Sequence, residues 1–133
     1  MLFQFSDENF WSLIHTAHST DGGVYKIVAF KDGQRIPVNR FLGTDKDGVL
    51  YIGRATSFIN RVIDLKKSIS PDYKGTAHIC GRRYKSNPNI ATFFPYNILH
   101  IEFVRSDKPI ELEKTLLAEY ASIYGEVPPL NAI

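Results

Sequence analysis

The chain has 133 residues, of which 44% are hydrophobic and 23% are charged. These values are typical of one globular domain with a single core, and they exclude a disordered or fibrous protein. The only cysteine is Cys80, which excludes an internal disulfide and predicts a reducing, cytoplasmic location. No segment approaches the roughly 20 apolar residues of a membrane span, so no membrane partner is expected.

The net charge of +2 is unevenly distributed along the chain. Residues 51–85 contain eight basic and two acidic side chains, a net charge of +6, which leaves −4 for the remainder. Such asymmetry favours an anionic partner such as nucleic acid. A well-solvated surface helix would have the same composition, and composition alone does not decide between the two.

The first half of the chain predicts one helix and two strands. Residues 7–18 have helical apolar spacing, and residues 23–30 (GVYKIVAF) are rich in strand-forming side chains. A turn at Lys31-Asp32-Gly33 closes this strand. A long polar connection then leads through Asp47-Gly48 into a second strand over residues 49–54.

The second half predicts helices over residues 57–69 and 109–125, with a strand over 98–104 between them. Residues 70–95 contain three prolines and two glycines, which predicts a long loop. The order α-β-β-α-β-α indicates an α+β fold, a small three-stranded antiparallel sheet flanked by helices. We expect one domain over residues 1–133, with 1–20 as an N-terminal helical extension and 21–133 as the core.

The last predicted helix carries a carboxylate in an unusual place. Its apolar stripe comprises Leu112, Leu116, Leu117, Tyr120, Ile123 and Tyr124. Glu113 falls inside this stripe, where a carboxylate is costly unless it is paired, protonated or metal-bound. The pattern alone leaves open a buried salt bridge to an arginine, which it slightly favours, and a metal site.

The junction between the second strand and its helix carries two arginines. Arg54 follows the strand, and Arg61 lies at the edge of the helix's apolar stripe, where its guanidinium can reach a cleft. A guanidinium binds phosphate well because its planar fork donates two parallel hydrogen bonds. A packing arginine with an exposed head is the alternative.

Five features taken together resemble the GIY-YIG nuclease superfamily. Gly23-Val24-Tyr25 and Tyr51-Ile52-Gly53 are similar to its paired signature, and Arg61 stands where the family has its essential arginine. Glu113 resembles its metal-binding glutamate, and Pro128-Pro129-Leu130-Asn131 its closing segment. The resemblance spans residues 23–131 and implies a metal-dependent endonuclease that hydrolyses phosphodiester bonds in DNA, or alternatively in RNA.

Two departures from the family pattern affect these expectations. The 25 residues between Tyr25 and Tyr51 are more than is usual, so residues 31–48 form an enlarged connection. Leu65 stands one turn after Arg61, where many members have a polar side chain. The segment from His78 to Tyr84 is expected to supply a substitute polar group. His78 and Cys80 are not expected to bind zinc, because no tetrahedral ligand set accompanies them.

The resemblance implies a role for each candidate residue. Glu113 would hold one Mg²⁺ or Mn²⁺ ion, Arg61 would bind the scissile phosphate, and Tyr25 or Tyr51 would position or deprotonate the attacking water. The nucleic-acid-binding candidates are Arg54, His78, Arg82, Arg83 and Lys85. Gly53 and Asn131 would support the site.

Two other functions remain open at this stage. One is a catalytically impaired nucleic-acid-binding module on the same fold, suggested by Leu65. The other is a small protein-interaction domain in which Glu113 and Arg61 only form a buried salt bridge. Substrate choice would depend on loop 70–95, the enlarged connection, a dimer or a partner protein.

Overall fold

The structure is a computed structural model and describes residues 1–73 and 78–131. It confirms an α+β protein with an antiparallel sheet. The strands are β1 (Phe3–Gln4), β2 (Gly23–Lys31), β3 (Gln34–Arg35), β4 (Val38–Arg40), β5 (Gly43–Asp45), β6 (Val49–Ala55) and β7 (Leu99–Arg105). The helices are α1 (Phe10–His18), α2 (Phe58–Ile69), α3 (Ile79–Ser86), α4 (Pro88–Phe93) and α5 (Pro109–Tyr124), and a 3-10 turn covers Tyr96–Ile98.

Strand β2 lies at the centre of the main sheet. It pairs antiparallel with β6 on one side and β7 on the other, and β1 adds to the far edge of β7. These three long strands are the three that the sequence predicts, each within a residue or two of the expected bounds. The register places Tyr25 opposite Gly53, so the two signature tripeptides are adjacent.

Helices cover both faces of the sheet. Successive side chains of β2 point to opposite faces, so its apolar residues contribute to two cores, and each core needs a covering helix. Tyr25, Ile27 and Ala29 pack into the larger core with α1 and α2, whereas Val24 and Val28 face α5. The expected apolar stripe of α5 packs on the second core except for Ile123, which is exposed. Gly125 ends α5 with a φ of +79°, the left-handed conformation that glycine adopts readily.

The prediction of a long loop over residues 70–95 is wrong for most of its length. Helices α3 and α4 occupy Ile79–Ser86 and Pro88–Phe93. Asn87 ends α3 and caps α4, where Pro88 takes the first-turn position that tolerates proline. Residues 74–77, which include the basic Lys74, lie outside the described residues.

The enlarged connection is also ordered. Strands β4 and β5 form a separate hairpin, and β3 pairs with the end of β2. Asp45 fastens this hairpin to the core: its carboxylate accepts hydrogen bonds from the Tyr120 hydroxyl (3.0 Å) and from the backbone N–H of Asp47 (2.9 Å) and Val49 (3.0 Å).

The N-terminal segment is part of the same core. Beyond the expected helix, which begins at Phe10, it adds strand β1, and it buries Phe3, Phe5, Phe10 and Ile14 in the larger cluster. Within residues 1–73 and 78–131, no helix has both the length and the apolar character needed to cross a bilayer.

Candidate active site

Gly53 leaves room for the rings of Tyr25 and Tyr51 to lie next to each other on the sheet. The ring centroids of Tyr25 and Tyr51 are 6.0 Å apart. A Cβ atom on Gly53 would lie 2.5 Å from Cζ and Oη of Tyr25 and 2.7 Å from Cε2 of Tyr51. Any side chain at position 53 would therefore displace both rings.

The two tyrosines, on β2 and β6, open into a cavity of about 330 Å³ to which three further elements, α2, α3 and α5, contribute. Strand β6 supplies Arg54 as well as Tyr51, helix α2 supplies Arg61, and helix α5 supplies Glu113. The cavity, called the tyrosine pocket below, is lined by Tyr25, Tyr51, Arg54, Arg61, His78, Ile79, Arg82 and Glu113. The structure thus brings together seven of the residues singled out in the sequence.

Helix α2 presents Arg61 to this pocket because of where the helix begins. Ser57 is the N-cap, and its hydroxyl accepts a hydrogen bond from the Asn60 N–H at 3.4 Å. One turn later Arg61 is exposed, and among the described residues its guanidinium forms no salt bridge. It also lines two adjoining depressions, so an extended anionic ligand can reach it.

Glu113 is paired, but with a different arginine from the one considered above. Nη1 of Arg54 donates to Oε1 of Glu113 at 2.7 Å, and the Glu113 side chain is mostly buried. The half-exposed Arg54 gives this bond only modest strength, since solvent screens exposed ion pairs.

The donor set fits a hard divalent cation held by one carboxylate. Oε2 of Glu113 has no hydrogen-bond partner within the described residues, and it belongs to a side chain that lines an open cavity. In the described parts of the chain, no three His, Cys, Asp or Glu side chains converge as a ligand cluster. A bound Mg²⁺ or Mn²⁺ would therefore complete its coordination with water and phosphate oxygens, which such ions accept.

His78 has two hydrogen bonds that fix its tautomer. As the N-cap of α3, its Nδ1 accepts the Cys80 N–H at 3.1 Å, so the proton of a neutral ring must lie on Nε2. Burial lowers the pKa of His78 to about 4, and the charge of Arg61 adds to this effect. The neutral ring therefore donates from Nε2 to the Tyr25 hydroxyl oxygen, 3.3 Å away.

This donation gives the two tyrosines different roles. Because the Tyr25 oxygen accepts from His78, its own proton can be directed at the neighbouring Tyr51 hydroxyl; the two ring centroids are 6.0 Å apart. Burial raises the pKa of Tyr25 far above its ordinary value. Burial also raises the pKa of Tyr51 to about 12, and the neighbouring Tyr25 hydroxyl and the charge of Arg61 act against this increase. Tyr51 is thus the easier of the two to deprotonate.

Asn131 holds the middle of strand β6 in place. Its side-chain Oδ1 accepts the Ile52 N–H at 3.0 Å, and its Nδ2 donates to the Ile52 carbonyl at 2.9 Å. These two hydrogen bonds of the buried amide are of the kind that a neighbouring strand would form with Ile52, the residue between Tyr51 and Gly53. The asparagine thus supports the backbone beneath the pocket.

Three residues from the sequence analysis lie elsewhere. Arg83 lines a second groove, and Nζ of Lys85 donates to the Tyr73 carbonyl at 2.6 Å. Neither lines the tyrosine pocket. Leu65 is fully buried in the larger core, so a polar side chain at this position would face apolar neighbours. His78 instead brings a polar group to the pocket from α3.

Sequence reasoning missed the close contact that positions α3. A Cβ atom on Gly81 would lie 2.3 Å from Oγ of Ser68, so α3 can approach α2 only with glycine at this position. The signal in the sequence was His78, because a side chain of this kind can cap the first turn of a helix. Gly81 and the nearby prolines concealed it, because both residue types usually interrupt helices.

Comparison with protein-family models found no match. Searches of curated proteins and of solved structures also found no match.

Proposed function

We propose that this chain is a divalent-metal-dependent endonuclease that hydrolyses phosphodiester bonds in DNA, with the strand and helix order of the GIY-YIG superfamily. The observation that supports this most directly is convergence. Two tyrosines, three arginines and one carboxylate from five different elements line a single small cavity. Structural ion pairs alone do not require two phenols beside Arg61, whose guanidinium forms no salt bridge within residues 1–73 and 78–131.

Tyr51 is the residue we assign as general base. As the phenolate, it would accept a proton from water while the water oxygen attacks phosphorus and the phosphorus–leaving oxygen bond breaks, and the leaving oxygen would take a proton from solvent. The hydrogen bond from His78 to the Tyr25 oxygen supports this choice, because it leaves the Tyr25 proton free to be directed at Tyr51, and a donor so directed stabilises a phenolate. Tyr25 and His78 then act as positioning residues.

Arg61 and Arg82 would bind the scissile phosphate. Charge accumulates on the phosphoryl oxygens in the transition state, and fixed guanidinium groups stabilise it there. A divalent ion held at this site would supply positive charge to the reacting phosphate and would lower the pKa of nearby acids. Glu113 would hold this ion through Oε2, and Arg54 would keep its carboxylate oriented through Oε1.

Nicking of supercoiled DNA in the presence of Mg²⁺ tests the proposal. We expect the wild type to cut and EDTA to stop it. Glu113→Gln removes the charge with little change of shape and should abolish cutting, as should Arg61→Ala. Glu119→Gln, on an exposed position of the same helix, is the matched control and should cut normally.

Two other results would favour a different function. If the wild type binds DNA with a steep salt dependence but never cuts, the chain is a binding module on this fold. If it neither binds nor cuts DNA, the same assay on RNA decides between an RNA substrate and a protein-interaction domain. Normal cutting by Glu113→Gln would refute the metal role of this carboxylate.

A further inference from the structure

The β4–β5 hairpin exposes two large apolar side chains at its turn. Phe41 is 80% exposed and Leu42 is 61% exposed. Each would contribute to folding if it were buried in the core, yet neither packs there. Single exposed apolar residues are ordinary, but an adjacent pair at a protruding turn is the kind of feature that contacts another molecule.

The turn is held rigidly against the end of α5. The Leu42 N–H donates to the Tyr124 carbonyl at 3.0 Å, and the Phe41 N–H donates to Oε2 of Glu126 at 2.8 Å. Both side chains pass over Gly125: a Cβ there would lie 2.8 Å from Cγ of Leu42 and 3.0 Å from Cδ1 of Phe41. The apolar pair is therefore preorganised.

Gly125 also lines a groove of about 400 Å³, called the hairpin groove below. Its cations are Arg40 and Arg83. Arg40 is neutralised by Glu126 at 3.0 Å, whereas the Arg83 guanidinium forms no salt bridge within the described residues. Phe41 does not line the groove, but its ring lies over Gly125, which does. The exposed ring therefore adjoins a groove that contains a guanidinium without a salt-bridge partner among the described residues.

The hairpin groove and the tyrosine pocket are connected through shared elements. Arg82 and Arg83 are consecutive on α3, and they line the pocket and the groove respectively. Asn131 lines the groove while its side chain bonds to Ile52, next to Tyr51. A polyanion bound at the pocket can therefore continue over α3 into the groove.

We propose that the hairpin groove and the Phe41–Leu42 turn bind unpaired nucleotides, so that the preferred substrate is a duplex with a single-stranded extension. The inference rests on the proposed nuclease function, because the pocket would hold the duplex portion. Aromatic and aliphatic side chains stack on base faces, which an intact duplex conceals and a single strand exposes. Arg83 supplies the phosphate contact beside them.

A second copy of the chain is the other occupant that an apolar turn could accept. The charge distribution favours nucleic acid, since Arg83 would bring like charges together in a symmetric contact. Sedimentation of the wild type and of the Phe41→Ser/Leu42→Ser double variant decides the point. A dimer that dissociates on this substitution would overturn the proposal.

Fluorescence anisotropy in EDTA tests the binding without cleavage. The probes are a blunt DNA duplex and the same duplex with a single-stranded extension. We expect the wild type to bind the extended probe about tenfold more tightly, a stacking contribution of the usual size. Phe41→Ser/Leu42→Ser and Arg83→Gln should each remove most of this preference and leave blunt-duplex binding within about twofold.

Controls separate this inference from the proposed function. Phe93→Ser changes an equally exposed phenylalanine on α4 and should preserve the preference, whereas Arg61→Ala should weaken both probes. Equal affinity of the wild type for the two probes, or equal losses on both in the hairpin variants, would overturn the inference. If the extension preference is present but Mg²⁺ gives no cutting, the nuclease proposal fails and the binding site stands.

Discussion

The tyrosine pocket and the hairpin groove use aromatic residues in opposite ways. In the pocket, Tyr25 and Tyr51 are buried, and a hydrogen bond from His78 orients the Tyr25 hydroxyl. Beside the groove, Phe41 and Leu42 are exposed, and hydrogen bonds hold their backbone N–H groups. Burial creates the perturbed pKa values that proton transfer requires, whereas exposure leaves apolar surface available to a ligand.

If both proposals hold, this difference separates chemistry from recognition within one small domain. Substitutions in the pocket should alter reactivity or folding, because its side chains are tightly packed. Substitutions at the exposed turn should alter binding and leave stability unchanged. The following five predictions test this contrast, from the largest expected effect to the smallest.

The two tyrosines should differ in their effect on cutting. Tyr51→Phe removes the assigned base and should slow single-turnover cleavage by about 10³-fold. Tyr25→Phe removes a positioning hydroxyl and the acceptor of the His78 hydrogen bond, and should slow cleavage by about tenfold. A larger loss in Tyr25→Phe than in Tyr51→Phe would reverse the assignment of the base.

Loss of the hairpin anchor should destabilise the whole domain. Asp45→Ala leaves the Tyr120 hydroxyl and the Val49 N–H buried without their acceptor, and it removes the acceptor of the Asp47 N–H as well. We expect the free energy of unfolding, measured in urea, to fall by about 4 kcal/mol. Asp47→Ala, an exposed neighbour, is the control, and an equal loss there would contradict the anchor role.

Gly53→Ala should disrupt the tyrosine pocket from below. The added methyl group would collide with both tyrosine rings, and overpacking of this kind costs about 3 kcal/mol. Gly33→Ala meets no atom within 4 Å but has a φ of +77°, so it measures backbone strain alone, about 1 kcal/mol. Equal urea denaturation of the two variants would show that the rings move aside freely.

His78 should make stability depend on pH. Its folded pKa of about 4 lies below the ordinary histidine pKa of 6.5, so the unfolded chain binds the proton more readily. The stabilisation is complete above about pH 6.5 and is lost as the pH falls towards 4. Between pH of about 7 and about 5, the wild type should lose about 2 kcal/mol more than His78→Asn, which retains the helix cap. Parallel urea titrations of the two proteins would show no difference if His78 were already protonated.

The exposed turn should have the smallest effect on folding. Phe41→Ser/Leu42→Ser should change the free energy of unfolding by less than about 0.5 kcal/mol, because neither side chain packs in a core. Thermal and urea denaturation measure this directly. A loss comparable to that of Asp45→Ala would mean that the turn serves the fold.

Local pattern predicted much of the framework. Helix α2 was expected over 57–69 and lies at Phe58–Ile69 with Ser57 as its cap. The three long strands were recognised because β-branched and aromatic runs end at glycine turns. Helices α3 and α4 were missed because Gly81 and Pro88 are read locally as breakers. Their cost is offset by contacts with distant residues, Ser68 among them.

The candidate site could be predicted from the sequence only in part, because local periodicity marks unusual residues but does not identify their partners. Helical periodicity places Glu113 among apolar residues, which marks it as unusual without identifying its partner. In the structure, the partner of Glu113 is Arg54. The pairing of β2 with β6 and the packing of β6 against α5 determine which cation lies nearest to the carboxylate. Arg83 was grouped with Arg82 by adjacency, yet a rotation of about 100° per helical residue directs the two side chains to different grooves.

The sequence alone determined the residue types and the spacing of the long elements. Tertiary structure decided that the Tyr25 hydroxyl receives a hydrogen bond from His78, which reaches Tyr25 only after α3 packs on α2. It also decided that Phe41 is surface. Periodicity acts over a few residues, whereas hydrogen-bond direction and burial depend on neighbours far apart in the chain.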